Sequence, residues 1–186
     1  MVIKKYLLVI VLICSLILCS GCINNINQTA NLTPTTTNKT FQANGISFEY
    51  PSDWKEMNKT GKYVIAYIID PKAKSDDKKP GTAVEISRKE SSGIPLERFY
   101  DEVKSGASSV AGYQLLSERT YELDNVTAYE FTSKATDKNI EEQYRVILLE
   151  KNGFIYMIAC GTRSPTYLGD KTPGFDMIIN SFKIIG

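Results

Sequence analysis

Histidine is absent from this chain. Its absence removes the side chain that most often moves protons near neutral pH and most often ligates transition metals. A Ser-His-Asp or Cys-His nucleophile therefore cannot be assembled. Cysteine is scarce where it would matter: Cys14, Cys19 and Cys22 crowd the N-terminus and Cys160 stands alone in the body. With one cysteine beyond residue 22, no internal disulfide framework is open to the folded domain, and its core has to hold by packing. Charge of one sign is lacking too. The formal net charge is +1 and turns slightly negative without Lys4 and Lys5, so there is no basic face of the kind that displaces counterions from nucleic-acid phosphates. The acidic residues show no calcium-loop spacing, and neither a metal nor a cofactor is expected.

What is present begins with Lys4 and Lys5, an apolar run from Tyr6 to Cys19, the small residues Ser20 and Gly21, and then Cys22. A positive start, an apolar stretch and a small-residue exit make a secretory signal. The segment resembles a prokaryotic lipoprotein signal in which Cys22 takes the lipid and becomes the mature N-terminus, although Cys19 stands where such signals usually carry leucine. The other reading is an uncleaved helix over Tyr6 to Ile23, near the short limit of about 17 residues for a bilayer span. Both readings tether the chain to the extracytoplasmic face of the cell membrane, because the lysines favour the cytoplasmic side.

Residues 24–40 are nearly all Asn and Thr and bury too little to repay ordering, which makes them a flexible tether. Triplets for N-glycosylation occur at Asn27, Asn31, Asn38, Asn58 and Asn125. The expected organisation is a signal over residues 1–21, a tether over 22–40 and one globular domain over 41–186.

In the body, a hairpin is expected around Asn44-Gly45, a short helical turn at Ser52-Asp53-Trp54, and strands over Tyr63 to Asp70 and Thr82 to Lys89. Pro95 opens a helix to about Val110, with Leu96, Phe99, Tyr100, Val103 and Ala107 on one stripe. Four strands follow: Gln114 to Leu123, Val126 to Ala135, Glu141 to Lys151 and Phe154 to Thr162, with tight turns at Asp124-Asn125 and Asn152-Gly153. Thr172 and Pro173 start a second helix. Val146 to Leu149 and Phe154 to Cys160 are apolar at successive positions, which marks central strands covered on both faces. The expected fold is α+β: an αβα sandwich with a central antiparallel sheet covered by helices on both faces.

GISFEYPSDW (Gly45 to Trp54), the later hairpins and GFDMIINSFKI (Gly174 to Ile184) resemble the PsbP-like superfamily. The resemblance implies an αβα sandwich shared with a Ran-binding nuclear transport factor, and small extracytoplasmic proteins that bind other proteins, often without chemistry of their own. Metal contacts of photosynthetic members rest partly on histidines, so that role does not carry over.

Register arithmetic singles out one polar constellation. Tight turns place Arg119 opposite Glu130 and Arg145 opposite Cys160, and a four-residue loop over Asp137 to Ile140 makes Glu130 a diagonal neighbour of Arg145. With Tyr121 and Tyr156 nearby, the group reads either as a pocket for an anionic or amide-bearing ligand or as a charge pair closing one end of the sheet. Cys160 reads as a buried thiol and Trp54 as a core plug. The preferred function is a non-enzymatic, membrane-anchored accessory protein acting through protein or small-ligand contacts, with an unidentified envelope protein as partner. Two alternatives stand beside it. One is a carboxylate-dependent hydrolase pairing Glu130 with Glu141 or Glu85, which needs carboxyl groups about 5 to 10 Å apart. The other is a purely structural envelope component.

Overall fold

A computed structural model describes residues 38–58, 61–73, 80–137, 140–163 and 172–186. Cys22, Asn27 and Asn31 lie outside them. Among the described residues ten strands and two helices follow one another: β1 (Lys39–Ala43), β2 (Ile46–Tyr50), β3 (Lys55–Glu56), β4 (Val64–Ile69), β5 (Thr82–Glu90), α1 (Leu96–Ala107), β6 (Gln114–Leu123), β7 (Val126–Asp137), β8 (Ile140–Lys151), β9 (Phe154–Thr162), α2 (Thr172–Ser181) and β10 (Lys183–Ile184). β1 opens inside the segment expected to be tether. No helix among the described residues is long and apolar enough to cross a membrane.

Seven strands form one antiparallel sheet in the order β3-β4-β5-β9-β8-β7-β6, and β1, β2 and β10 form a second. Three hairpins turn on two successive residues of positive φ: Asn44 and Gly45 at 56° and 79°, Asp124 and Asn125 at 52° and 62°, Asn152 and Gly153 at 56° and 77°. Paired positive φ values match the twist of flanking strands, and Asn, Asp and Gly tolerate them. These turns set the register of everything that follows.

Residues of β8 and β9 alternate between two cores. Ile147, Leu149, Tyr156, Ile158 and Cys160 pack with Phe175, Ile178, Ile179 and Phe182 of α2 and with Phe41, Ile46 and Phe48 of the small sheet. Val146, Leu148, Ile155 and Met157 pack with Phe99 and Tyr100 of α1. Burial of apolar residues at successive positions is what a strand inside the molecule requires.

The architecture is therefore a sheet-rich α+β fold with a large antiparallel sheet and two helices. It departs from the expected sandwich in two respects. Much of one core is closed by the three-stranded sheet rather than by a helix, and β6 is exposed at successive positions from Gln114 to Thr120. Pro51 to Trp54 is a β-turn, closed by the Trp54 amide on the Pro51 carbonyl at 2.9 Å, not a helical turn. The α1 helix stops at Ala107, short of Val110, where Ser108 Oγ bonds back to the Ser105 carbonyl. Strands β7 and β8 run on until Asp137 faces Ile140, inside the segment expected to be a loop. The register is the one a four-residue loop would have given.

Candidate functional site

Arg119 and Glu130 are direct cross-strand partners, while Glu130 faces Ile147 and Thr132 faces Arg145, which makes Arg145 the diagonal neighbour. Arg119 Nε and Nη2 donate to the two carboxylate oxygens of Glu130 at 2.9 and 3.0 Å. The Tyr121 hydroxyl donates to Oε2 at 2.9 Å. Arg145 Nε stands 3.0 Å from Oε1, a charge contact whose angle falls short of a hydrogen bond. From α2, Asp176 accepts from Arg145 Nη1 at 2.5 Å.

Burial alone would raise the Glu130 carboxyl, but the two guanidinium groups and Tyr121 outweigh it and hold the group below the usual carboxylate range. Burial, and then the charge of Glu130, push the Tyr121 hydroxyl upward. For Arg145 the lowering by burial is overcome by Asp176 and Glu130. Glu130 side-chain exposure is 6% and Arg145 12%, against 54% for Arg119 and 43% for Asp176, so solvent reaches this cluster at its Arg119 and Asp176 ends. Tyr156 belongs to the core instead: it is 1% exposed and meets Phe182 edge-on at 6.2 Å.

A carboxylate met by donors on both oxygens and held ionised is a poor general acid or base. The acids named as its hydrolytic partners are elsewhere. Glu85 shares a row with Ala159, Val146 and Phe131, whereas Glu130 shares one with Ile147, Ile158 and Ile86, so the two carboxylates face opposite sides of the sheet. Glu141 precedes Ile147 on β8 by about 20 Å at the rise of an antiparallel strand. Cys160 is fully buried, and burial pushes its thiol far upward, away from the thiolate. Among the described residues no group of three or more Cys, Asp or Glu is placed to hold a metal ion. Asn38, Asn58 and Asn125 are exposed.

A second locus escaped the sequence reading. A cleft of about 560 Å³ opens between α1 and the edge of the large sheet, lined by Glu97, Tyr100, Asp101, Glu118, Arg119, Thr120 and Tyr129. Tyr129 donates to Glu97 at 2.6 Å, Tyr100 donates to Glu118 at 2.7 Å, and Lys104 Nζ meets the same Glu118 oxygen at 2.6 Å. The i,i+4 spacing of Glu97 and Asp101 was visible, but only the placement of α1 beside β6 brings them to Glu118.

A family model described as PsbP-like protein matches residues 7–184. The chain belongs to that family. A search of curated proteins finds no match for this PsbP-like chain. Its fold is similar to that of LpqN of Mycobacterium tuberculosis, with 10% identity over 82% of this chain and 93% of that one and a TM-score of 0.61. It is also similar to the cyanobacterial PsbP of Synechocystis sp. PCC 6803, with 15% identity, coverage of 84% and 98%, and a TM-score of 0.57. A protein of Bacteroides thetaiotaomicron matches with 13% identity and a TM-score of 0.55 over 78% of this chain, which spans 48% of that protein.

Proposed function

We propose that this PsbP-like chain is a non-catalytic accessory protein that acts by binding and is held on the extracytoplasmic face of the cell membrane. Lipid on Cys22 is the preferred anchor, and an uncleaved N-terminal helix is the other form of it. The observation that carries the reading is the state of Glu130: the carboxylate on which the hydrolase reading depends is forked by Arg119, flanked by Arg145 and capped by Tyr121. Family membership and the likeness to LpqN, a protein described as involved in cell envelope biogenesis, fit such a role. The N-terminal pattern of lysines, apolar run and Cys22 supports the location.

The test has two parts. Mass analysis of the mature N-terminus is expected to show diacylglycerol on Cys22, and a Cys22→Ser chain to lose it. Crosslinking in intact cells, followed by purification, is expected to recover a defined envelope partner in amounts near one to one. Turnover of an envelope substrate by the purified chain, with no partner recovered, would overturn the reading.

A further inference from the structure

Among the described residues strand β6 is the last strand of the large sheet, bonded to β7 on one side only, and it is exposed from Gln114 to Thr120. An unpaired edge is a template for an added strand. Its first residues are spoiled for that purpose by the bulge between Leu115 and Ser117, which leaves Ser117 to Leu123 as a regular edge.

Alongside this edge lies the cleft under α1, and its chemistry is specific. Glu97, Asp101 and Glu118 contribute three carboxylates, against which Lys104 is the near cation, 3.7 Å from Asp101 and 2.6 Å from Glu118. Arg119, which also lines the cleft, has its guanidinium committed to Glu130. Tyr100 and Tyr129 set their rings 5.4 Å apart in the wall, and Lys104 Nζ already stands 5.0 Å from the Tyr100 ring centroid. Carboxylates flanked by aromatic faces attract an ammonium or guanidinium group.

We propose that this cleft receives a lysine or arginine side chain from a partner protein whose extended segment lies along β6. The inference rests on the binding role proposed above and names its docking surface. A second copy of this chain fits less well. Two-fold antiparallel pairing of β6 through the middle of the strand sets Glu118 against Glu118 or Arg119 against Arg119, and like charges directly opposite are destabilising.

The test uses the full-length, isotope-labelled chain in detergent and follows amide shifts on titration. The probes are capped nine-residue peptides of alternating threonine and valine with lysine, arginine, norleucine or glutamate at the centre, together with N-acetyl-lysine amide. The lysine and arginine peptides are expected to shift the amides of Ser117 to Leu123 and Tyr129, and to bind at least tenfold tighter than the norleucine peptide. In the Glu97→Gln, Asp101→Asn chain that preference is expected to vanish. Equal binding by all four peptides, binding by none, shifts confined to other strands, or N-acetyl-lysine amide binding as tightly as the lysine peptide would each overturn the proposal. A crosslinked partner seated away from β6 and α1 would overturn it while leaving the binding role intact.

Discussion

Arg119 grips Glu130 as a fork, with Nε and Nη2 at 2.9 and 3.0 Å from the two carboxylate oxygens across the β6 and β7 pair. The two residues differ sharply in exposure, 54% against 6% for their side chains, and so do the expected effects of removing them. Glu130→Gln leaves Arg145 buried with less compensation and is expected to cost about 3 to 5 kcal/mol, the range for breaking one side of a buried pair. Arg119→Ala, at a half-exposed site, is expected to cost about 1 kcal/mol or less. Urea unfolding of the two variants checks the order, and a larger loss for Arg119→Ala would contradict it.

Acid should weaken the fold through two buried carboxylates. For Asp124, as for Glu130, burial works upward but is outweighed: Lys151 and the Ile184 amide, with Lys183, hold the Asp124 carboxyl below its ordinary value. A carboxyl depressed in the folded state contributes stability that is present above its unfolded value of about 4 and is lost as pH falls through the folded value. Unfolding free energy should therefore fall steadily below about pH 4. Glu130→Gln should flatten that decline, as measured by urea unfolding across the acid range.

Gly174 sits in α2 where a Cβ would come within 2.7 Å of the Trp54 ring, and Trp54 is itself 4% exposed against Phe175. Replacing glycine by alanine inside a helix ordinarily gains about 1 kcal/mol. Here the ring has little room to yield, so Gly174→Ala is expected to destabilise by about 1 to 3 kcal/mol, the usual effect of overpacking. Thermal unfolding gives the sign.

Asp124 joins three parts of the chain. Its carboxylate accepts from Lys151 Nζ at 2.7 Å and from the Ile184 amide at 2.9 Å, while its backbone takes the left-handed φ of 52° that the hairpin turn needs. Asp124→Ala removes the acceptor and places a less tolerant residue at positive φ. The expected loss is about 2 kcal/mol, from a buried charge-assisted bond and local strain. Hydrogen exchange should show the Ile184 amide losing protection before the amides of β8 and β9.

Much of the central sheet was legible because its turns are short and chemically explicit. Asn44-Gly45, Asp124-Asn125 and Asn152-Gly153 each dictate a two-residue hairpin, and counting outward from them puts Arg119 opposite Glu130 and Arg145 opposite Cys160. The doubly apolar β9 announced its central place in the same way. Less could be read where the signal is short or non-local. β3 and β10 are two residues each and carry no periodicity, so neither was foreseen, and without β10 the hairpin at Asn44-Gly45 gave no sign of a separate three-stranded sheet. Tyr156 shares a face with Arg145, yet parity does not say how far along the strand a side chain sits from its neighbours, and it lies in the core. The acidic cleft depends on how α1 crosses the sheet, a packing choice that no spacing within Glu97, Asp101 or Glu118 encodes.

The account turns on whether Glu130 is available for chemistry, and its own titration decides this most directly. Side-chain carboxyl carbons of glutamate, followed by NMR as a function of pH in the full-length chain, report each group separately. Glu130 is predicted to stay ionised until below the ordinary carboxylate value of about 4, because Arg119, Arg145 and Tyr121 hold its charged form. A midpoint near 6 or 7, where a general acid must sit to donate a proton at neutral pH, would contradict the reading of this domain as a binding protein.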